Sequence, residues 1–194
     1  MTTWTSKPLL AGALCLGLAA CADFAGPKGE GSALPFAPLA RGSVTLVPPF
    51  GYCVDKRSLR ASFALMARCD TLGGTGAFGA PLALITAATV AKGNATTADE
   101  TLGETVLVRR DEGSLILLQV DGTPPSSDMR NVFWRAIGQV GDQVIGLALY
   151  EPRSGAELGE SAPELLAQTM RRTRARTASE QDNSATSQAN QPLN

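Results

Sequence analysis

The sequence predicts an α+β domain: a mainly antiparallel sheet with a C-terminal helix packed on one face. Three observations carry this. Short apolar runs recur between glycine and proline breaks from residue 43 onward, several of them rich in β-branched residues. A Gly141-Asp142 turn separates two alternating segments, the pattern of a tight hairpin. Ser161-Ala162-Pro163-Glu164 then opens a long run with helical spacing.

Taken in order, Ser43 to Val47 alternates and stops at Pro48-Pro49, as a strand does. Ser62 to Cys69 is apolar and fits strand or helix by periodicity alone. Pro81 to Val90 has the length and β-branched content of a buried strand, and its threonine and proline interruptions argue against a membrane segment. Thr97 to Glu104 reads as a short helix. Ser114 to Val120 is a strand closed by Asp121-Gly122. In Val132 to Val140, Val132, Trp134 and Ala136 take one face, and Phe133, Arg135 and Ile137 the other. Gln143 to Tyr150 returns beside it. In the final helix Ser161 is the expected N-cap, Pro163 suits the first turn, and Leu165, Leu166 and Met170 form the apolar face.

This order, a first hairpin after a proline-bounded start and a late hairpin running into a final helix, resembles the PsbP-like proteins. Pro49-Phe50-Gly51-Tyr52 and Phe133-Trp134 are the anchors of the likeness, which covers Val44 to about Arg174 as element order only. The resemblance implies an α/β/α sandwich and carries no catalytic or ligand residue with it.

The N-terminus speaks to location. Lys7 supplies a positive start, Pro8 to Ala20 is apolar and uncharged, and Leu18-Ala19-Ala20 leads into Cys21. That resembles the lipobox of bacterial lipoprotein signal peptides, whose cysteine is acylated, with chains such as palmitate, and becomes the new N-terminus. An ordinary cleaved signal or an uncleaved anchor is the competing reading. In lipoproteins of this kind an Asp directly after the cysteine marks the inner membrane; Ala22 stands there, so the resemblance implies the outer membrane, facing the periplasm. The expected organisation is a signal peptide at 1–20, a flexible Gly/Ala/Pro tether at 21–42, one domain at 43–176 and a polar, disordered tail at 177–194.

Composition narrows the function classes. The chain has 17 Lys and Arg against 18 Asp and Glu; without Lys7 the balance is 16 to 18, so a basic footprint for nucleic acid is missing. Aromatics are 5% of residues, too few for a stacking platform. There is no histidine, which removes the commonest general base near neutral pH and every Ser-His-Asp or Cys-His arrangement. No cofactor is expected. Once Cys15 leaves with the signal and Cys21 takes lipid, Cys53 and Cys69 remain, sixteen positions apart. In an oxidising compartment they form a disulfide worth about 3 kcal/mol by loop-closure entropy. A zinc site would need added carboxylates, and a redox pair would need closer spacing.

Three constellations bear on chemistry. Gly74-Thr75-Gly76-Ala77-Phe78-Gly79 spells G-x-G-x-x-G, with Asp99 and Glu100 beyond it, but a strand follows rather than a helix, so a glycine-rich loop is the reading. Asp55 and Asp70 flank the cysteines among Lys56, Arg57, Arg60 and Arg68; brought together they could do acid–base chemistry, and kept apart they are surface ion pairs. Arg171, Arg172, Arg174 and Arg176 either offset the dipole at the end of the helix or contact an anionic surface such as lipid headgroups or cell-wall polymer.

These readings converge on a non-enzymatic accessory or assembly factor held on a membrane by lipid, with an envelope protein or cell-wall partner and no nucleic acid. A periplasmic small-ligand binding module is the alternative, with a pocket between sheet and helix lined by Trp134 and Tyr150; a hydrolase using Asp55 and Asp70 comes third.

Overall fold

A computed structural model describes residues 32–75, 79–92 and 104–189. The strands are β1 (Ala33–Leu34), β2 (Ala37–Leu39), β3 (Val44–Leu46), β4 (Tyr52–Asp55), β5 (Phe63–Arg68), β6 (Leu84–Ala91), β7 (Thr105–Glu112), β8 (Leu115–Asp121), β9 (Val132–Val140) and β10 (Gln143–Tyr150). The helix α1 covers Ser161–Ala189. Eight strands form one antiparallel sheet in the order β1-β4-β5-β6-β10-β9-β8-β7, and β2 pairs with β3 as a separate ribbon. The fold is therefore the α+β arrangement expected, with α1 against the sheet. Among the described residues α1 is the one α-helix.

The sheet is two meanders, β4-β5-β6 and β7-β8-β9-β10, joined where β10 returns beside β6 over eight register pairs, from Leu84 opposite Tyr150 to Ala91 opposite Gln143. The β9–β10 hairpin turns on Gly141-Asp142, with Gly141 at a φ of 56° that suits glycine. Gly113-Ser114 makes the same kind of turn between β7 and β8, with φ 63° at Gly113.

Alternation gives the sheet two apolar faces. Leu117, Trp134, Ala136, Ile145, Leu147 and Leu149 join Ile85, Met66 and Val54 in a core under α1 and the β2–β3 ribbon. Leu118, Val120, Phe133, Ala148 and Tyr150 form a smaller cluster on the other side. The helix buries Ala162, Leu166, Ala167 and Met170 against the larger core. It lies so close over β9 that a Cβ on Gly138 would sit 2.7 Å from Arg174 Nη2 and 3.1 Å from Met170 Cε.

Three expectations need correction. The segment from Ala33 is folded rather than a tether: Ala37 and Leu39 are buried in the core, and Pro38 stands between them facing out, where the ribbon tolerates its missing N–H. The helix does not stop near Arg176 but runs to Ala189, past the start of the expected disordered tail. It continues because its polar residues have partners. The Thr173 and Thr177 hydroxyls each accept a β3-side N–H, from Val47 and Thr45, at 3.0 Å. Glu180 is bonded by the Thr45 hydroxyl and by Arg176 at 2.8 Å. The Ser161 box is also not closed as expected, since Glu164 is engaged by Arg171 Nη2 at 2.5 Å. β4 and β7 were not foreseen. The expected helix at Thr97–Glu104 lies outside the described residues, except for Glu104, which directly precedes β7.

Candidate functional site

Cys21 and the lipobox-like segment lie outside the described residues. Cys53 and Cys69 are disulfide-bonded, with Cα atoms 4.8 Å apart. The bridge ties the start of β4 to the residue that follows β5, where the Cys69 N–H also donates to the Gly51 carbonyl at 3.1 Å. Just beyond, Gly74 packs where a Cβ would lie 2.8 Å from Ala33 Cβ, so the first glycine of the G-x-G-x-x-G run serves a close approach to β1. That run belongs to the connection between antiparallel β5 and β6, and a strand follows it.

The structure does not bring Asp55 and Asp70 together. Tyr52 stands opposite Arg68, so Asp70 lies past one end of β4 while Asp55 ends the other. Arg57 clasps Asp55 with Nε at 3.0 Å and Nη2 at 3.1 Å, and this hydrogen bonding holds the Asp55 carboxyl below the ordinary range. Arg68 does the same for Asp70, with Nε at 3.0 Å. Two separate carboxylates kept ionised by their own guanidiniums are poor proton donors and share no site.

The four helix arginines part company as well. Because α1 continues to Ala189, they sit in its middle and do not offset a helix end. Arg171 pairs with Glu164. Arg174 turns onto the sheet, donating from Nε to the Gln139 carbonyl and from Nη2 to the Ser114 carbonyl, each at 2.9 Å. Arg172 stacks over Phe50 with its guanidinium carbon 4.1 Å from the ring centroid, and Arg176 over Phe36 at 5.1 Å.

Trp134 and Tyr150 cannot line one pocket. Trp134 is opposite Leu149 across the β9–β10 ladder, so Tyr150, one residue on, points to the other face. There its ring lies 4.6 Å from Phe133, and burial pushes its hydroxyl pKa up. Trp134 instead sits under Arg110, whose guanidinium carbon is 5.0 Å from the ring. Arg110 is in turn held by both oxygens of Glu160, at 2.6 and 2.8 Å.

An open groove of about 620 Å³ borders Trp134, with Asp121, Arg130, Glu151, Arg153 and Glu157 along it. Sequence reasoning missed this cluster because its members come from the end of β8 and from two separate connections. Arg130, Arg153, Glu151 and Glu157 tie those connections together. Arg130 reaches Glu157 Oε1 and the Gly155 carbonyl at 2.9 Å, Arg153 reaches the Ser127 carbonyl at 2.8 Å, and Glu151 accepts the Leu158 N–H at 2.9 Å.

Among the described residues no group of three Cys, Asp or Glu side chains is placed to hold a metal ion, and no helix is long and apolar enough to cross a membrane. In comparisons with protein-family models and with curated proteins, nothing matches the chain.

Proposed function

We propose that this chain is a lipid-anchored protein of the bacterial cell envelope, at the outer membrane and facing the periplasm, that works by contact as an accessory or assembly factor. The observation that carries the location is the Cys53–Cys69 disulfide, since such bonds persist in oxidising compartments and are rare in the cytosol. It agrees with the lipobox-like Leu18-Ala19-Ala20-Cys21, whose thiol would carry the lipid. Support for contact rather than chemistry comes from how the charged groups are used. Asp55, Asp70, Glu160 and Glu157 are each held by an arginine in a structural pair.

The test is a Cys21→Ser variant expressed beside the parent chain. The parent is expected in the membrane fraction, with an acyl mass on a peptide that begins at Cys21. The variant is expected to lose both, while retaining the Cys53–Cys69 bridge in non-reducing digests. A parent chain without acyl mass sinks the anchor. In-cell crosslinking of the acylated parent then identifies what it touches; a chain that never captures the same partner twice counts against the accessory role.

A further inference from the structure

The seam between α1 and the β2–β3 ribbon carries two phenylalanines in an unusual position. Phe50 is 73% exposed and Phe36 46% exposed, both large apolar rings open to solvent. They are held there rather than hanging free. The Phe50 N–H donates to Gln168 Oε1 at 3.1 Å, and Arg172, one turn along the helix, lies over its ring. Arg176, a further turn on, lies over Phe36. The two rings and two guanidiniums thus form a short stripe along one flank of α1. Arg176 shares its charge with Glu180, whereas no carboxylate pairs with Arg172 among the described residues, so the stripe carries a net positive charge.

The chain approaches this flank from the N-terminal side. Phe36 follows β1 after the single residue Pro35, and Ser32 is the first described residue, eleven positions after Cys21. Eleven residues span at most about 37 Å when fully extended, and about 18 Å as a flexible coil. A lipid on Cys21 would therefore keep the domain within tens of ångströms of the bilayer, and Phe36 lies only four positions beyond Ser32.

We propose that the Phe36–Phe50 flank, with Arg172 and Arg176, rests on the phospholipid surface into which the Cys21 anchor inserts. This rests on the anchored reading given above. Aromatic rings are favoured at the headgroup level, where their apolar bodies leave water. Guanidiniums beside them meet lipid phosphates with bidentate geometry. The contact gives the tethered domain one orientation. The far edge of the sheet, β7, is then presented to the periplasm.

The experiment uses the full acylated protein reconstituted into vesicles of phosphatidylethanolamine and phosphatidylglycerol brominated near the headgroup end of the acyl chains. Phe50→Trp places a fluorescent reporter on the flank. Leu107→Trp places one on β7, where Leu107 is 51% exposed at the opposite edge. Trp134 is buried and common to both, so it serves as background. Both substituted positions are exposed, so the fold tolerates them. The expected result is loss of most of the added Phe50→Trp emission with none of the Leu107→Trp emission, and a smaller loss when Arg172→Gln and Arg176→Gln are added. Equal quenching of both reporters, or an unquenched Phe50→Trp on vesicle-bound protein, overturns the proposal. The acyl mass on Cys21, read from the same sample, separates the two levels. Acylated, vesicle-bound protein with an unquenched flank refutes only the orientation, whereas protein lacking both acyl mass and vesicle binding refutes the anchor and the orientation with it.

Discussion

Between β2 and β3 the backbone turns through three consecutive positive φ angles, at Ala40 (49°), Arg41 (58°) and Gly42 (90°). For a residue with a Cβ the left-handed conformation costs about 1–2 kcal/mol, and Arg41 is exposed, so its side chain offers little in return. Arg41→Gly is therefore expected to stabilise the protein by about 0.5–1 kcal/mol after the entropy of the added glycine is counted. The gain reads as a higher urea midpoint at an unchanged slope; a fall in midpoint would mean that the Arg41 side chain matters in a way the turn does not show. Tyr52 sits at the opposite extreme, buried with its hydroxyl donating to the Pro81 carbonyl at 2.6 Å. Burial pushes its pKa up to about 12, against about 10 for an unfolded tyrosine. The folded state thus holds this proton more tightly. Its contribution to stability is complete below pH ~10 and is lost as pH rises from ~10 to ~12. Phenolate absorbance should accordingly grow in together with unfolding on that limb. Tyr52→Phe should flatten the limb while weakening the protein at neutral pH through the lost hydrogen bond. Ionisation of Tyr52 near pH 10 in a still-folded protein would contradict this.

At the level of elements, α1 does something a strand usually does. The Thr173 and Thr177 hydroxyls accept the Val47 and Thr45 N–H groups, and Gln168 accepts that of Phe50, so a row of helix side chains stands in for a neighbouring strand along β3. Thr173→Val and Thr177→Val keep the side-chain shape and strand a buried donor, and each is expected to cost about 1–3 kcal/mol. Thr169→Val is the control. Its hydroxyl only donates back to Leu165 within the helix, at 2.8 Å, and its loss should cost less than either. Equal losses at all three positions in urea titrations would remove the stripe's special role. This stripe also explains where sequence reading stopped. Apolar patterning found β6, β8, the β9–β10 hairpin and the start of α1 but left β5 open between strand and helix, and the cysteine count foretold the bridge. A helix face built from threonine acceptors carries no apolar signal, so the residues after Arg176 resembled a disordered tail. β7 was obscured by a bulge near Leu107 and by the charged run from Arg109 to Glu112. The expected Trp134–Tyr150 pocket failed on strand parity alone: once Trp134 pairs with Leu149, Tyr150 must face the other way. The Asp55–Asp70 site failed because the β4–β5 register sets the two carboxylates at opposite ends of β4, which residue type and spacing do not reveal, and each is taken by the arginine two positions away.

The whole molecule is two meanders closed on each other, and its connectivity makes a test of how strongly. The first half, through β6, contains the ribbon and both disulfide cysteines; the second contains β7 to β10 and the helix. Among the described residues, the contacts that cross between them include the β6–β10 ladder, the bonds and ring contacts from α1 to the ribbon and Phe50, and the core beneath the helix, where Ile85 and Met66 from one half meet Leu147 and Leu149 from the other. No disulfide joins the halves. A protease site inserted into the 93–103 connection and cut in the folded protein should therefore leave two fragments that co-elute under native conditions, with or without reductant. Unfolding of the cut protein becomes a dissociation, so its urea midpoint should fall below that of the intact chain and rise with protein concentration. Halves that separate without denaturant would place much of the stability in the severed connection itself. Halves that stay together would mean that the ladder and the shared core join them without a covalent link, as a flat sheet edge alone could not.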